Sequence, residues 1–120
     1  MITPTDGMFK FISNPEHILL NRMLITSITI TQDSPSTLYQ VPFELTTAPT
    51  RAWKDVLMDT WQSIIQQKKR ISKSVIWVFN NRILINKVPV ELVNNQLEIL
   101  VIKAIDQTNE LIKLRAQRAI

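Results

Sequence analysis

The sequence predicts an α+β domain: a four-stranded, largely antiparallel sheet covered on one face by two helices, in the order β-β-α-β-β-α. Three observations carry this expectation. Two segments between residues 23 and 45 alternate apolar and polar residues with the period of a strand. Two later segments repeat apolar residues with the period of a helix. Between them lies a pair of short apolar runs, separated by Asn80-Asn81, that reads as a hairpin. Strands and helices in this order fit a sheet that keeps its helices on one side and leaves its other face, or an edge, open to a partner.

The first 21 residues have a looser pattern and are expected to form an N-terminal arm ahead of a single domain over 22–120. Asn14 suits a helix cap and Pro15 the first helical position, so a short helix near 15–21 is expected. From Met23, MLITSITIT puts Leu24, Ile28 and Ile30 on one face and Ser27, Thr29 and Thr31 on the other, which predicts one half-buried strand. QDSPST supplies turn chemistry. LYQVPFEL then points Tyr39, Val41, Phe43 and Leu45 inward and Gln40, Pro42 and Glu44 outward. Pro42 cannot donate to a ladder, which predicts an edge strand or a proline on an unpaired side.

Thr47 and Thr50 are competing caps for the helix around Pro49. In that helix Trp53, Val56, Leu57, Trp61, Ile64 and Ile65 form one apolar stripe, so both tryptophans are expected in the core. SVIWVF is apolar at nearly every position, which predicts a central strand buried on both faces. Trp77 and Phe79 share a face of it and would suit base stacking if exposed, but their apolar neighbours predict burial. The last helix carries Leu97, Leu100, Val101, Ala104, Ile105, Leu111 and Ile112 as a wide stripe interrupted by Thr108 and Asn109.

Composition bounds the function. The chain has 120 residues, 45% of them hydrophobic, enough for one cored domain. It has no cysteine, which removes disulfides and thiolate chemistry together. The single glycine, Gly7, leaves no glycine-rich phosphate loop. No apolar run approaches a membrane span and no signal peptide is recognisable, so a cytoplasmic protein without a membrane partner is expected.

Catalytic groups are sparse. His17 is the only histidine and has no partner constellation. Asp55 and Asp59 are one helical turn apart, but proximity to a helix start and to Arg51 explains them without a metal. Ser27, Ser63 and Ser74 lack a nucleophile motif. An enzyme is thus the least supported reading, and no cofactor is expected.

The charge is uneven. Residues 1–50 hold two cations against four carboxylates, and residues 51–120 hold twelve against six. Lys68, Lys69, Arg70 and Lys73 cluster after the first helix, where exposed carbonyls favour cations. Joined by Arg82, Lys113, Arg115 and Arg118 they would offer a phosphate-contacting patch to nucleic acid. The alternative partner is protein, including a second copy of the chain. Ile99 and Ile102 widen the last helix's apolar stripe, Asn109 would set the register of a helix pair, and Pro42 would mark an exposed strand. A non-enzymatic interaction module that forms homodimers is the first expectation, and a nucleic-acid-binding accessory protein the second.

Overall fold

The computed structural model describes residues 16–32 and 37–119. The strands are β1 (Leu20–Met23), β2 (Thr29–Gln32), β3 (Leu38–Leu45), β4 (Ile76–Phe79) and β5 (Arg82–Pro89). The helices are α1 (Arg51–Ile65) and α2 (Asn95–Ala119), with short 3-10 turns at Ile25–Ser27 and Val90–Leu92. Every strand pairing is antiparallel, in the order β1-β3-β5-β4, with β2 also on β3. The α+β class and the helices packed on the sheet are as expected. Among the described residues there are five strands rather than four.

The extra strand comes from a break in the segment read as one strand from Met23. β1 pairs with Phe43–Leu45 and β2 with Leu38–Gln40, so both lie along the same side of β3 with the Ile25–Ser27 turn between them. Pro42 faces this break. Its carbonyl accepts from Leu24 N at 2.9 Å, so its nitrogen, which has no hydrogen, points the same way. A ladder has nothing to gain across from that nitrogen, and the outer chain leaves the sheet there. β3 is therefore interior, and of the two expectations for Pro42 the unpaired side is the one realised. Most of the QDSPST turn lies outside the described residues.

No helix occupies the described part of 15–21. Residues 16–19 have no regular structure and β1 begins at Leu20. Asn14 and Pro15 lie outside the described residues; from Ile18 onward, burial of that side chain and pairing of β1 with β3 take the place of the expected helix. Glu16 instead reaches the start of α1, accepting from Thr50 N at 2.8 Å and from the Thr50 hydroxyl. Thr50, not Thr47, is the cap: its Oγ1 accepts from Trp53 N at 3.3 Å. A carboxylate here also meets the positive end of the helix dipole.

The core lies between one face of the sheet and the helices. Val41, Phe43, Leu45, Ile76, Ile83 and Ile85 meet Trp53, Leu57, Trp61, Ile65, Leu97, Val101 and Ile105, all buried. Burial is worth about 1.5–3 kcal/mol for each large apolar side chain. Both helix tryptophans are core residues with satisfied ring nitrogens. Trp61 Nε1 donates to Ser74 Oγ at 3.0 Å and Trp53 Nε1 to Asn109 Oδ1 at 2.9 Å. Contacts at Trp53 with Asn109 at one end, and of Ile71 with Leu100 around a shared groove at the other, make α1 and α2 antiparallel.

Thr108 and Asn109 continue the buried stripe of α2 instead of interrupting it. Thr108 Oγ1 donates to Ala104 O at 2.7 Å. Asn109 also accepts from Ile18 N at 3.0 Å and donates to Ile18 O at 2.7 Å, as a neighbouring strand would. Polar residues inside the stripe are tolerated because each of their buried polar atoms has a hydrogen-bond partner.

Candidate interaction surface

β4 lies at the edge of the sheet, not at its centre as its apolar run predicts. The Asn80-Asn81 turn joins it to β5, with Phe79 opposite Arg82 and Asn80 at φ 54°, a region asparagine tolerates. Trp77 and Phe79 direct their backbone groups toward β5, as does Val75, whose carbonyl accepts from Asn86 N at 3.1 Å. The backbone groups of Ile76 and Val78 consequently point outward, where no described strand lies. From Val75 to Asn80 this edge carries neither charge nor proline. These are the two features that usually protect an edge strand.

The side chains of β4 divide between the faces of the sheet. Ile76 and Val78 lie opposite Ile85 and Ile83 on the helix side. Trp77 and Phe79 lie on the other side and are 45% and 68% exposed, which corrects the expectation that they are buried. Register builds two rows across this open face. One runs Trp77, Leu84, Pro42, and the other Phe79, Arg82, Glu44, Arg22. Glu44 accepts from Asn21 Nδ2 at 2.6 Å and pairs with Arg22 Nε at 3.3 Å, so the β1 end is polar. Aromatic surface is concentrated at the free edge.

Pro42 is buried in the middle of this face and cannot mark an exposed strand. Asn109 spends its amide on Ile18 and Trp53, so setting the register of a helix pair is not its role. Ile99 and Ile102 do project from α2, 63% and 40% exposed.

The cations are all exposed but do not converge. Lys68, Lys69, Arg70 and Lys73 occupy successive turns after α1, closed by Ile71 N to Lys68 O at 3.0 Å and Ser74 N to Ile71 O at 2.9 Å. Arg70 pairs with Glu91 at 3.1 Å. Lys113, Arg115 and Arg118 follow Asn109 on α2, toward the start of α1. Since α1 has 15 residues, that is the other end of a helix about 22 Å long. Arg82 is on the opposite face of the sheet.

Groups considered for catalysis are dispersed as well. His17, Asp55 and Asp59 are exposed, and Ser74 is buried against Trp61. Among the described residues no three His, Cys, Asp or Glu side chains converge as metal ligands, and no helix is long and apolar enough to cross a membrane.

Sequence reasoning missed the exposure of Trp77 and Phe79, yet a signal was available. Across a two-residue hairpin turn, the flanking residues share a face. Arg82 therefore identifies Phe79's face as the solvated one. The chain matches no protein-family model, no curated protein and no solved structure.

Proposed function

We propose that this chain is a non-enzymatic protein-interaction module that self-associates through the β4 edge. The supporting observation is an uncharged edge strand with outward backbone groups at Ile76 and Val78 and two exposed aromatics beside them. Antiparallel pairing of two such edges matches Ile76 with Val78 of the second copy, and Val78 with Ile76, as hydrogen-bonded pairs. Trp77 then faces its own counterpart on the symmetry axis, in the non-hydrogen-bonded pair where side chains come closest. The two sheets become one, and Trp77 and Phe79 are covered on the open face.

The contact is small, so a dissociation constant in roughly the micromolar range is expected. Light scattering across a concentration series tests it. A mass rising from 13.9 kDa toward twice that value is the expected result. Val78→Pro removes an outward N–H without touching the ladder to β5 and should hold the chain monomeric, as should Trp77→Ser. A wild-type monomer at every concentration would sink the reading. A dimer that survives both substitutions would place the contact elsewhere.

Nucleic-acid binding is the second reading, favoured by exposed Trp77 and Phe79 beside Arg82, a combination suited to stacking single-stranded bases. Lys68, Lys69, Arg70 and Lys73 offer a second, separate basic surface. Fluorescence anisotropy with single- and double-stranded DNA and RNA distinguishes them. Salt-sensitive binding lost in Phe79→Ser supports the open face, loss on charge reversal at Lys68 to Arg70 supports the basic turn, and no binding at low salt removes both.

A further inference from the structure

Beyond the C-terminal end of α1, the turns that follow the helix and the first turns of α2 line a groove of about 460 Å³, open to solvent. Its apolar lining is Ile71, which is buried, Leu92 and Leu100, which are half-buried, and Ile99, which is 63% exposed. Lys68, Lys69 and Arg70 line it too, all three exposed, and among the described residues no carboxylate does. Glu91 pairs with Arg70, whereas Lys68 and Lys69 have no ion-pair partner among the described residues. The helix end does not account for these two lysines. Ile65 O accepts from Lys68 N at 2.8 Å, Lys68 O from Ile71 N at 3.0 Å, and Lys69 O from Ser72 Oγ at 3.2 Å, so the carbonyls that would draw a cation already have donors.

We infer that this groove binds a free medium-chain fatty acid, with the carboxylate at Lys68 and Lys69 and the aliphatic chain along Ile71, Ile99 and Leu100. Cations alone would suit any anion, and apolar walls alone any hydrophobe. The two together select a ligand with one anionic head and one apolar body. Exposed lysines attract weakly in water, so the chain supplies the affinity and the ammonium groups choose its head. The volume falls within the range of small-molecule sites, about 300–1,000 Å³. At about 30 Å³ for each water-sized group it holds on the order of 15 non-hydrogen atoms, the size of dodecanoate. A second copy of the chain is a poorer occupant. Its exposed apolar helix surface at Leu111 and Leu114 carries Lys113, Arg115 and Arg118 against Asp106 and Glu110, and would bring positive charge to a positive groove. The groove shares no residue with β4, so ligand binding and self-association are separable.

Titrating the isotope-labelled full chain with dodecanoate, followed by amide NMR, tests the site. Saturable binding with a dissociation constant below about 1 mM is expected, with signal shifts centred on the turn after α1 and the first turns of α2. Lys68→Glu with Lys69→Glu should weaken it about tenfold or more, as should Ile99→Asp, and the exposure of all three side chains leaves the fold intact. Butyrate and inorganic phosphate carry the charge without the chain, and dodecyltrimethylammonium carries the chain with the opposite charge. Each should bind about tenfold more weakly than dodecanoate, or less. No saturable change up to about 1 mM, shifts centred elsewhere, equal binding of the cationic amphiphile, or an affinity indifferent to both variants would each overturn the site. Three further results would overturn it by naming another occupant. Phosphate bound as tightly as dodecanoate would leave a simple anion contact. Shifts of the same signals on concentrating the ligand-free chain would give the groove to a second copy. A response to phosphatidylglycerol vesicles but not to dodecanoate would give it to a lipid surface.

Discussion

Along β4, alternate residues meet opposite fates. Ile76 and Val78 pack toward the two helices, while Trp77 and Phe79, of equal or greater apolar area, remain in water. The same contrast separates the tryptophans: Trp53 and Trp61 are fully buried with their ring nitrogens bonded, and Trp77 is nearly half exposed. Size and hydrophobicity thus do not decide burial here. Position relative to the helical layer does, and the uncovered face leaves its aromatic surface exposed.

Three substitutions probe that contrast, measured by urea unfolding at concentrations low enough to hold the chain monomeric. Trp61→Ala should cost about 3–5 kcal/mol, because it opens a cavity on the covered face and leaves Ser74 without its donor. Asn109→Ala should cost about 3 kcal/mol by stranding the Ile18 backbone groups and Trp53 Nε1 inside the core. Phe79→Ser, on the open face, should change monomer stability by no more than about 0.5 kcal/mol. A loss at Phe79 comparable with that at Trp61 would mean that the open face is covered within the monomer, and the contrast would fail.

Much of the fold was legible because it rests on local periodicity. The inward set of β3, the stripe of α1 and the Asn80-Asn81 turn each follow from spacing within one element. Legibility ended where a decision depended on distant residues. SVIWVF reads alike whether its second face meets a helix or water, and only the strand order settles which. Asn109 looked like a break in a stripe because its partners, Ile18 and Trp53, are 91 and 56 positions away. The break between β1 and β2 depends on Pro42, which sits on the neighbouring strand. The exposure of Ile99 and Ile102 follows from the pattern of α2 alone, whereas that of Trp77 and Phe79 required the pairing with Arg82 to be taken at its full geometric meaning.

The bond between Asn109 and Ile18 also orders events in time. At roughly 5–20 residues per second, the ribosome takes about 5–18 seconds to add the 91 residues between them. Throughout that interval the segment ahead of β1 lacks the amide that fastens it, and over the last 56 residues of it Trp53 lacks an acceptor for its ring nitrogen. Sheet pairing among β1, β2 and β3 joins residues much closer in the chain and has no such wait. The nascent chain therefore presents its first hairpin well before its core can close, and the last turns of α2 complete the domain.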